Sequence, residues 1–218
     1  MKDNDVTEWS SKLWYCYLLE RKILKTEIID ADGGSSWEDA KCQVETTFPH
    51  FDWAIIWART RLPGLTNESR TTFWLFFHNL LPSQSRLHRI LRAVEDPCCL
   101  HCDTGEDDHT WYHTFSSCTL STQAMDWMTA TINTLPIQRV DTNTALWLQF
   151  PPPITETDLL CAVWLVETMT YVWARRKNRE DLSIASLKVV LHSKAMHMSK
   201  TDKFPLAGRQ LVDILSAA

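Results

Sequence analysis

The chain has 218 residues, of which 44% are hydrophobic, and it carries a net charge of −5 at neutral pH. This length suits one globular domain of ordinary size or two small ones. No apolar run is long enough to span a membrane, and the polar, acidic stretch from Met1 to Trp9 excludes a signal peptide. We therefore expect a soluble intracellular protein, nuclear or cytoplasmic, that is neither secreted nor bound to a membrane.

The amino-acid composition favours helices. The chain has 11 tryptophans and only 5 glycines. Large aromatic side chains fill cores, whereas scarce glycine leaves few tight hairpins. We predict an all-α, multi-helix domain with a small Cys/His insertion that resembles a zinc knuckle. Three segments, residues 1–94, 95–135 and 136–218, are expected to pack together as one domain.

Five helices are predicted before the cysteine-rich segment. The first has apolar residues at helical spacing, and a capping pair of Ser35 and Glu38 begins the second, which Pro49 stops. Pro63 and Gly64 end the third. The first four predicted helices cover about residues 6–29, 35–48, 52–62 and 66–81, and the fifth begins near residue 82.

Four further helices are predicted after the cysteine-rich segment. Thr155 and Asp158 form a capping arrangement that begins the longest of them. This helix is apolar nearly all round, so we expect other helices to bury it. Residues 145–150 could form a short helix or a strand. The predicted helices cover about residues 119–133, 155–177, 183–198 and 206–215.

Four residues form the motif Cys-x2-Cys-x10-His-x4-Cys: Cys99, Cys102, His113 and Cys118. Thiolate and imidazole are the ligands that tetrahedral zinc prefers, and a two-residue spacer lets one tight turn aim two sulfur atoms at one point. The four-residue spacer lets the second pair complete the tetrahedron from a short helical turn or its exit. Four protein ligands leave no open position, so the motif predicts one structural Zn²⁺.

Other interpretations of the cysteine-rich segment stay open. Cys98, His101 and His109 lie among the predicted ligands, and each could replace one of them. The four residues could also be ordinary reduced cysteines and a surface histidine. No disulfide is expected; the remaining cysteines, Cys16, Cys42 and Cys161, lie in apolar helical contexts and are predicted to be buried thiols.

The basic residues are segregated along the chain. Residues 59–94 carry 6 basic and 1 acidic side chains, whereas residues 95–158 carry 1 basic and 10 acidic ones. Basic clusters bind phosphates, although a solvated face or pairing with the acidic middle is an equally good interpretation. The candidate nucleic-acid-binding residues form two groups: Arg86, His88, Arg89 and Arg92, and then Arg175, Arg176, Lys177 and Arg179.

Several motifs together carry a resemblance to a known family. In chain order they are Asp52-Trp-Ala-Ile-Ile-Trp57, Thr72-Phe-Trp-Leu-Phe-Phe-His-Asn-Leu-Leu-Pro82, Arg86-Leu-His-Arg-Ile90 and the Cys/His motif. This order resembles the zinc-binding region that follows the polymerase of LINE-type (non-LTR) retrotransposon reverse transcriptases. The later run Trp173-Ala-Arg-Arg-Lys-Asn-Arg179 is similar to the helical tail that often follows in this family.

The resemblance implies a non-catalytic zinc domain of a retrotransposon reverse-transcriptase-like protein. Its expected partners are RNA or DNA, and the polymerase domain of the same element. Trp111 and Tyr112, beside the site, would stack on unpaired bases or be buried against the zinc loop. The chain itself lacks the paired metal-binding aspartates of a polymerase, because Asp107-Asp108 lies in the cysteine cluster without a flanking strand. We therefore expect no enzymatic activity.

Three alternatives from other functional classes are also open. The tryptophan-rich helices could present a groove to a protein partner, without any role for nucleic acid. The chain could be an inactive remnant of a retroelement. A metal-dependent nuclease is the least favoured alternative, because consecutive carboxylates in a polar loop are usually just solvated; its candidate residues are Asp103, Glu106, Asp107, Asp108 and His109.

Overall fold

The computed structural model describes a set of residues that all lie in one compact unit, Asp52–Ala218. None of these residues lies in a β-strand, so the prediction of an all-α fold is confirmed for this part of the chain. The three predicted segment boundaries stay predictions. The described residues are 53–62, 64–77, 81–84, 88, 96, 98–102, 113–135, 155–200 and 212–213.

Within the described residues, five α-helices and one π-helical turn have defined bounds. Helix α1 is Trp53–Arg59 and α2 is Asn67–Phe77. The π-helical turn, His113–Ser117, leads directly into α3, Thr119–Ile132. Helix α4, Glu156–Asn178, and α5, Ile184–Ser199, follow.

The predicted helices at 52–62, 119–133, 155–177 and 183–198 are confirmed, with small shifts at their ends. The helix predicted at 66–81 is confirmed as far as Phe77, and residues 78–80 lie outside the described residues. Of the helix predicted from residue 82, the structure describes Gln84 and His88 as helical, and of the helix predicted at 206–215 it describes Val212 and Asp213 as helical. The two helices predicted before residue 52 and the segment 145–150 lie outside the described residues, as do Cys16 and Cys42.

Helix α4 is the centre of the fold. Its 23 residues span about 35 Å, and α2, α3 and α5 all pack against it. The predicted capping pair begins it: the Asp158 N–H donates to Thr155 Oγ1 at 3.2 Å, and the Thr155 N–H donates to Asp158 Oδ2 at 2.6 Å. The prediction that other helices bury it is also confirmed, since every residue from 160 to 172 is buried; the Cys161 thiol is among them.

Aromatic rings connect α2 to the π-helical turn. Phe73, Phe76 and Phe77 of α2 are all buried. Phe76 meets Phe115 of the turn edge to face, with ring centroids 5.4 Å apart. Such a geometry places the positive edge of one ring against the negative face of the other. The turn that carries His113 is therefore fixed to the main core.

A buried polar contact joins α2, α4 and α5. Glu167 of α4 is only 7% exposed. Its Oε1 accepts a hydrogen bond from Ser69 Oγ of α2 at 2.6 Å, and its Oε2 forms an ion pair with Lys194 of α5. A buried carboxylate is costly unless it is paired and hydrogen-bonded. This contact therefore links the three helices and compensates the buried charge.

A glycine makes the turn between α1 and α2 possible. Gly64 has φ +93°, a conformation that side chains disfavour. A Cβ at this position would lie 2.8 Å from Met198 Cε of α5. The helix ends before Gly64 as predicted, and the turn at Gly64 lies close to α5. No helix within the described residues is both long and apolar enough to cross a membrane.

Candidate metal centre

Four side chains from two separate stretches of the chain converge at one end of α4. Cys99 and Cys102 lie in the segment 98–102, His113 begins the π-helical turn, and Cys118 precedes the first residue of α3. One ligand atom of each residue lies within 4.8 Å of the other three. The structure therefore brings together all four predicted ligands, and they can hold one metal ion.

The distances within this cluster fit a tetrahedral ion. Cys99 Sγ and Cys118 Sγ are 3.8 Å apart, and Cys102 Sγ and His113 Nε2 are 3.6 Å apart. Two thiolates on one tetrahedral zinc ion stand about 3.8 Å apart, and a thiolate and an imidazole nitrogen about 3.6 Å apart. A disulfide would need the sulfur atoms at about 2.05 Å. These two separations are compatible with a metal site, and the sulfur atoms of Cys99 and Cys118 are too far apart for a disulfide.

The π-helical turn explains why His113 and Cys118 can act together. The Cys118 N–H donates to the His113 carbonyl at 2.9 Å, which closes a turn of five residues. Cys118 is also the N-cap of α3, yet its side chain makes no capping hydrogen bond. The thiol points into the cluster instead. The sequence prediction of a short helical turn and its exit is confirmed.

Hydrogen bonds orient the ligands. Ser117 Oγ lies 3.3 Å from His113 Nδ1. With Nδ1 as the donor to this hydroxyl, Nε2 keeps its lone pair and faces Cys102, as a metal ligand requires. The His101 N–H donates to Cys99 Sγ at 3.5 Å. Both contacts are local in sequence, so the segment carries its own means of ligand orientation.

Further contacts fix the segment 98–102 to the helices around it. Thr119 Oγ1 at the start of α3 donates to the His101 carbonyl at 3.3 Å. His101 Nε2 lies 3.2 Å from the Arg176 carbonyl near the end of α4. This imidazole is therefore directed at a backbone carbonyl rather than at the cluster.

Arg176 is a charged residue in direct contact with two of the four predicted ligands. Its Nη1 donates to Cys118 Sγ at 2.8 Å, and its Nη2 donates to Cys99 Sγ at 3.4 Å. The side chain is 6% exposed. This contact has no signature in the sequence, because residues 58 and 77 positions apart meet only after α4 has packed. No local pattern could have found it.

The thiols already differ in acidity before a metal binds. The hydrogen bond from Cys99 lowers the pKa of Cys118 to about 6, and the positive charge of Arg176 adds to this effect while burial opposes it. The hydrogen bond to Cys118 and then burial raise the pKa of Cys99. Thiolate is the form that binds metal. The arrangement favours a thiolate at Cys118 near neutral pH.

The alternative ligands differ in position. Cys98 is half-buried, and its N–H donates to the Asp96 carboxylate at 2.8 Å. Neither Cys98 nor His101 belongs to the cluster of four. His109 lies outside the described residues, as do Trp111, Tyr112 and the carboxylates considered for a nuclease: Asp103, Glu106, Asp107 and Asp108.

The candidate nucleic-acid-binding residues divide into several groups. Lys177 and Arg179 are exposed at the end of α4. Arg175 is half-buried, forms an ion pair with Glu180 and lies over the Tyr171 ring. Arg176 differs from them, since its guanidinium faces the Cys/His cluster rather than an exposed basic surface. His88 is helical and half-buried. Arg86, Arg89 and Arg92 lie outside the described residues.

Comparisons with known proteins add no relative to these observations. No family model matches the chain, and no significant match is found among curated proteins or solved structures.

Proposed function

We propose that this chain is a non-catalytic, zinc-stabilised helical domain. The observation that carries the proposal is the set of four ligand atoms, three sulfurs and one imidazole nitrogen, within 4.8 Å of one another. Three thiolates and a histidine suit Zn²⁺ better than they suit magnesium or calcium, which prefer oxygen ligands. Four protein ligands complete the tetrahedron, so the ion would have a structural role.

The zinc ion would join parts of the chain that have little apolar surface in common. Cys99 and Cys102 belong to a segment with no regular structure, whereas His113 and Cys118 belong to the π-helical turn and the start of α3. Among the described residues, the buried apolar cluster around the ligands contains the three cysteines, with Leu120 packed against it. Metal ligation would supply the stability that such a small cluster cannot.

We further propose that the domain belongs to a retrotransposon reverse-transcriptase-like protein and helps to bind RNA or DNA. The resemblance of the motifs between Asp52 and Cys118 supports this proposal. The position of Lys177 and Arg179 supports this proposal as well, because both side chains are exposed and both follow Arg176 within the last residues of α4 and its C-cap. The metal centre would hold the end of α4, and so these two cations, in place for a phosphate backbone. Polymerisation would require the paired aspartates that this sequence lacks.

The first experiment is the zinc content of the purified chain by elemental analysis, with circular dichroism before and after chelation. We expect one zinc per chain and a loss of helical signal when the metal is removed. The Cys102→Ser variant should bind less zinc. The matched control is Cys98→Ser, which alters a neighbouring cysteine outside the cluster and should keep full occupancy. Absence of zinc from the wild-type chain after loading would refute the proposal.

A second experiment tests the binding of nucleic acid. The affinity for single-stranded RNA and DNA is measured against salt concentration in the wild type and in a Lys177→Glu, Arg179→Glu double variant. Phosphate contacts make affinity fall steeply with salt, with a logarithmic slope of about −0.7 per contact for single strands. We expect the double variant to lose affinity and slope together. Binding that is absent, or indifferent to both changes, would refute this part of the proposal.

One observation favours a protein-interaction module as a second candidate function. Helix α5 exposes Val189, Val190 and Met196, at 69%, 42% and 36% respectively. Val189 and Met196 are seven residues apart and share one side of the helix, whereas Val190 lies about 100° round the helix from Val189. Interaction through an apolar surface would be nearly independent of salt, so the same titration distinguishes this candidate from phosphate binding.

A further inference from the structure

The guanidinium of Arg176 donates to two of the four proposed metal ligands at once. One nitrogen lies 2.8 Å from Cys118 Sγ and another lies 3.4 Å from Cys99 Sγ. An arginine presents its donors in a rigid fork, so one side chain can orient two acceptors. The contact comes from the last turn of α4, a different element from those that carry the ligands.

The charges of the proposed centre and of Arg176 are complementary. Three thiolates carry −3, neutral histidine carries no charge and zinc carries +2, so the loaded site has a net charge of −1. The guanidinium carries +1, which brings the sum to zero. Both the anionic site and the cation are buried, since Cys118 is 0% and Arg176 is 6% exposed. Buried charges are costly unless an opposite charge and hydrogen bonds compensate them.

The same hydrogen bonds act on the reactivity of the sulfur atoms. A lone pair that accepts an N–H is less available to an electrophile, and a cation beside a thiolate lowers its basicity and with it its nucleophilicity. In metal sites, partners of this kind fix the ligands and change the affinity for the metal. Cys118 and Cys99 are the two sulfur atoms so affected, whereas His113 is oriented by Ser117 instead.

We propose that Arg176 is a positioning residue of the metal centre: it neutralises the charge of the zinc–thiolate site, holds Cys118 and Cys99 in ligand geometry, and protects them from electrophiles. This inference rests on the zinc site proposed above. It assigns Arg176 to the metal centre rather than to nucleic-acid binding, and it makes metal retention depend on how the end of α4 packs.

The test measures two quantities in zinc-loaded protein. The first is the zinc dissociation constant, from competition with a chromophoric chelator, and the second is the rate of zinc release by excess N-ethylmaleimide. Arg176→Gln should weaken zinc binding about 10- to 100-fold and release zinc faster. Arg176→Lys keeps the charge but loses the fork, and it should lie between the wild type and Arg176→Gln.

The matched control is Arg175→Gln. It removes the same charge from the neighbouring position of the same helix, where the side chain faces Glu180 and Tyr171. We expect its zinc affinity and release rate to equal those of the wild type. Equal values for Arg176→Gln and the wild type would overturn the proposal, as would an equal effect of Arg175→Gln.

A measurement on the wild-type chain covers the case in which Arg176→Gln does not fold. In protein loaded with a spin-half cadmium isotope, the guanidinium protons of Arg176 should show scalar coupling to the metal through the sulfur atoms, and those of Arg175 should not. Absence of this coupling in a metal-loaded chain overturns the role of Arg176 alone. A wild-type chain that binds neither zinc nor cadmium overturns the metal site itself, so the two failures are distinguishable.

Discussion

Phe115 of the π-helical turn packs edge to face against Phe76 of α2, with 5.4 Å between the ring centroids. Phe115 lies two residues after His113, and both rings are fully buried. The proposed metal centre and the aromatic core therefore share one short turn. Substitution of Phe115 should therefore affect the proposed metal ligands as well as the aromatic core.

We expect Phe115→Ala to destabilise the fold by about 3–5 kcal/mol, because it leaves a cavity in the aromatic core. It should also weaken zinc binding, since His113 loses the packing that holds its turn. Chemical denaturation and chelator competition measure the two effects. Leu100→Ala, at a side chain that is 51% exposed near the same site, is the control and should change stability little. A stable variant with unaltered zinc affinity would contradict the shared turn.

The role of the hydrogen bond between Ser117 and His113 can be tested by substituting two neighbouring serines, Ser117 and Ser116. Ser117→Ala removes the partner of His113 Nδ1, and the zinc affinity should fall about tenfold. Ser116→Ala is the matched control, because Ser116 Oγ is buried without a hydrogen-bond partner in the described structure. Its zinc affinity should not change. Equal affinities for the two variants would show that Ser117 does not orient the imidazole.

The contact between Glu167 and Lys194 predicts a strong dependence of stability on one lysine. Lys194→Met removes the cation from the buried Glu167 carboxylate, which then keeps, among the described residues, its hydrogen bond from Ser69. The unfolding free energy should fall by about 3 kcal/mol. Urea denaturation measures the loss. The exposed Lys200→Met is the control for loss of a positive charge on this part of the chain. Equal stabilities of Lys194→Met and the wild type would mean that the ion pair contributes nothing.

Cys161 should be unreactive in the folded chain. Burial raises the pKa of its thiol to about 12, and the nearby Asp158 carboxylate adds to the effect. The raised pKa means that the thiol stays protonated in the folded state while the unfolded state ionises above pH 9, so its contribution to stability is lost as the pH rises from about 9 to 12. Mass spectrometry after brief alkylation at pH 9 should find Cys161 unmodified until denaturant is added. Modification of the native chain at the rate of a free thiol would contradict its burial.

A side chain at Gly64 is predicted to destabilise the fold. Gly64→Ala combines an unfavourable positive φ with a Cβ only 2.8 Å from Met198 Cε, and we expect a loss of about 1–3 kcal/mol. Thermal denaturation of Gly64→Ala, Met198→Ala and the double variant separates the two causes. The double variant should recover the part due to the steric contact and keep the part due to backbone strain. Unchanged stability of Gly64→Ala would contradict the turn geometry.

The features that sequence analysis predicted well depend on short stretches of chain. The capping pair of Thr155 and Asp158 is three residues apart, and the ligand pairs Cys99–Cys102 and His113–Cys118 are three and five apart. Their chemistry can be recognised from spacing alone. The helix bounds at 119–133 and 183–198 followed from the same kind of local evidence.

The features that could not be predicted from the sequence depend on packing between distant elements. Arg176 has the ordinary appearance of a cation in the last turn of a helix, where it complements the helix dipole. Only the packing of α4 against α3 brings it to Cys118. Glu167 was likewise a lone acidic residue in an apolar helix, and its partner Lys194 comes from α5. Neither contact has a signature within its own segment.

The most direct test of the proposed zinc centre is X-ray absorption at the zinc edge of the loaded wild-type chain. We expect one zinc ion per chain with three sulfur neighbours at about 2.3 Å and one nitrogen neighbour at about 2.0–2.1 Å. A first shell of oxygen and nitrogen atoms only, or zinc that cannot be retained at all, would contradict it.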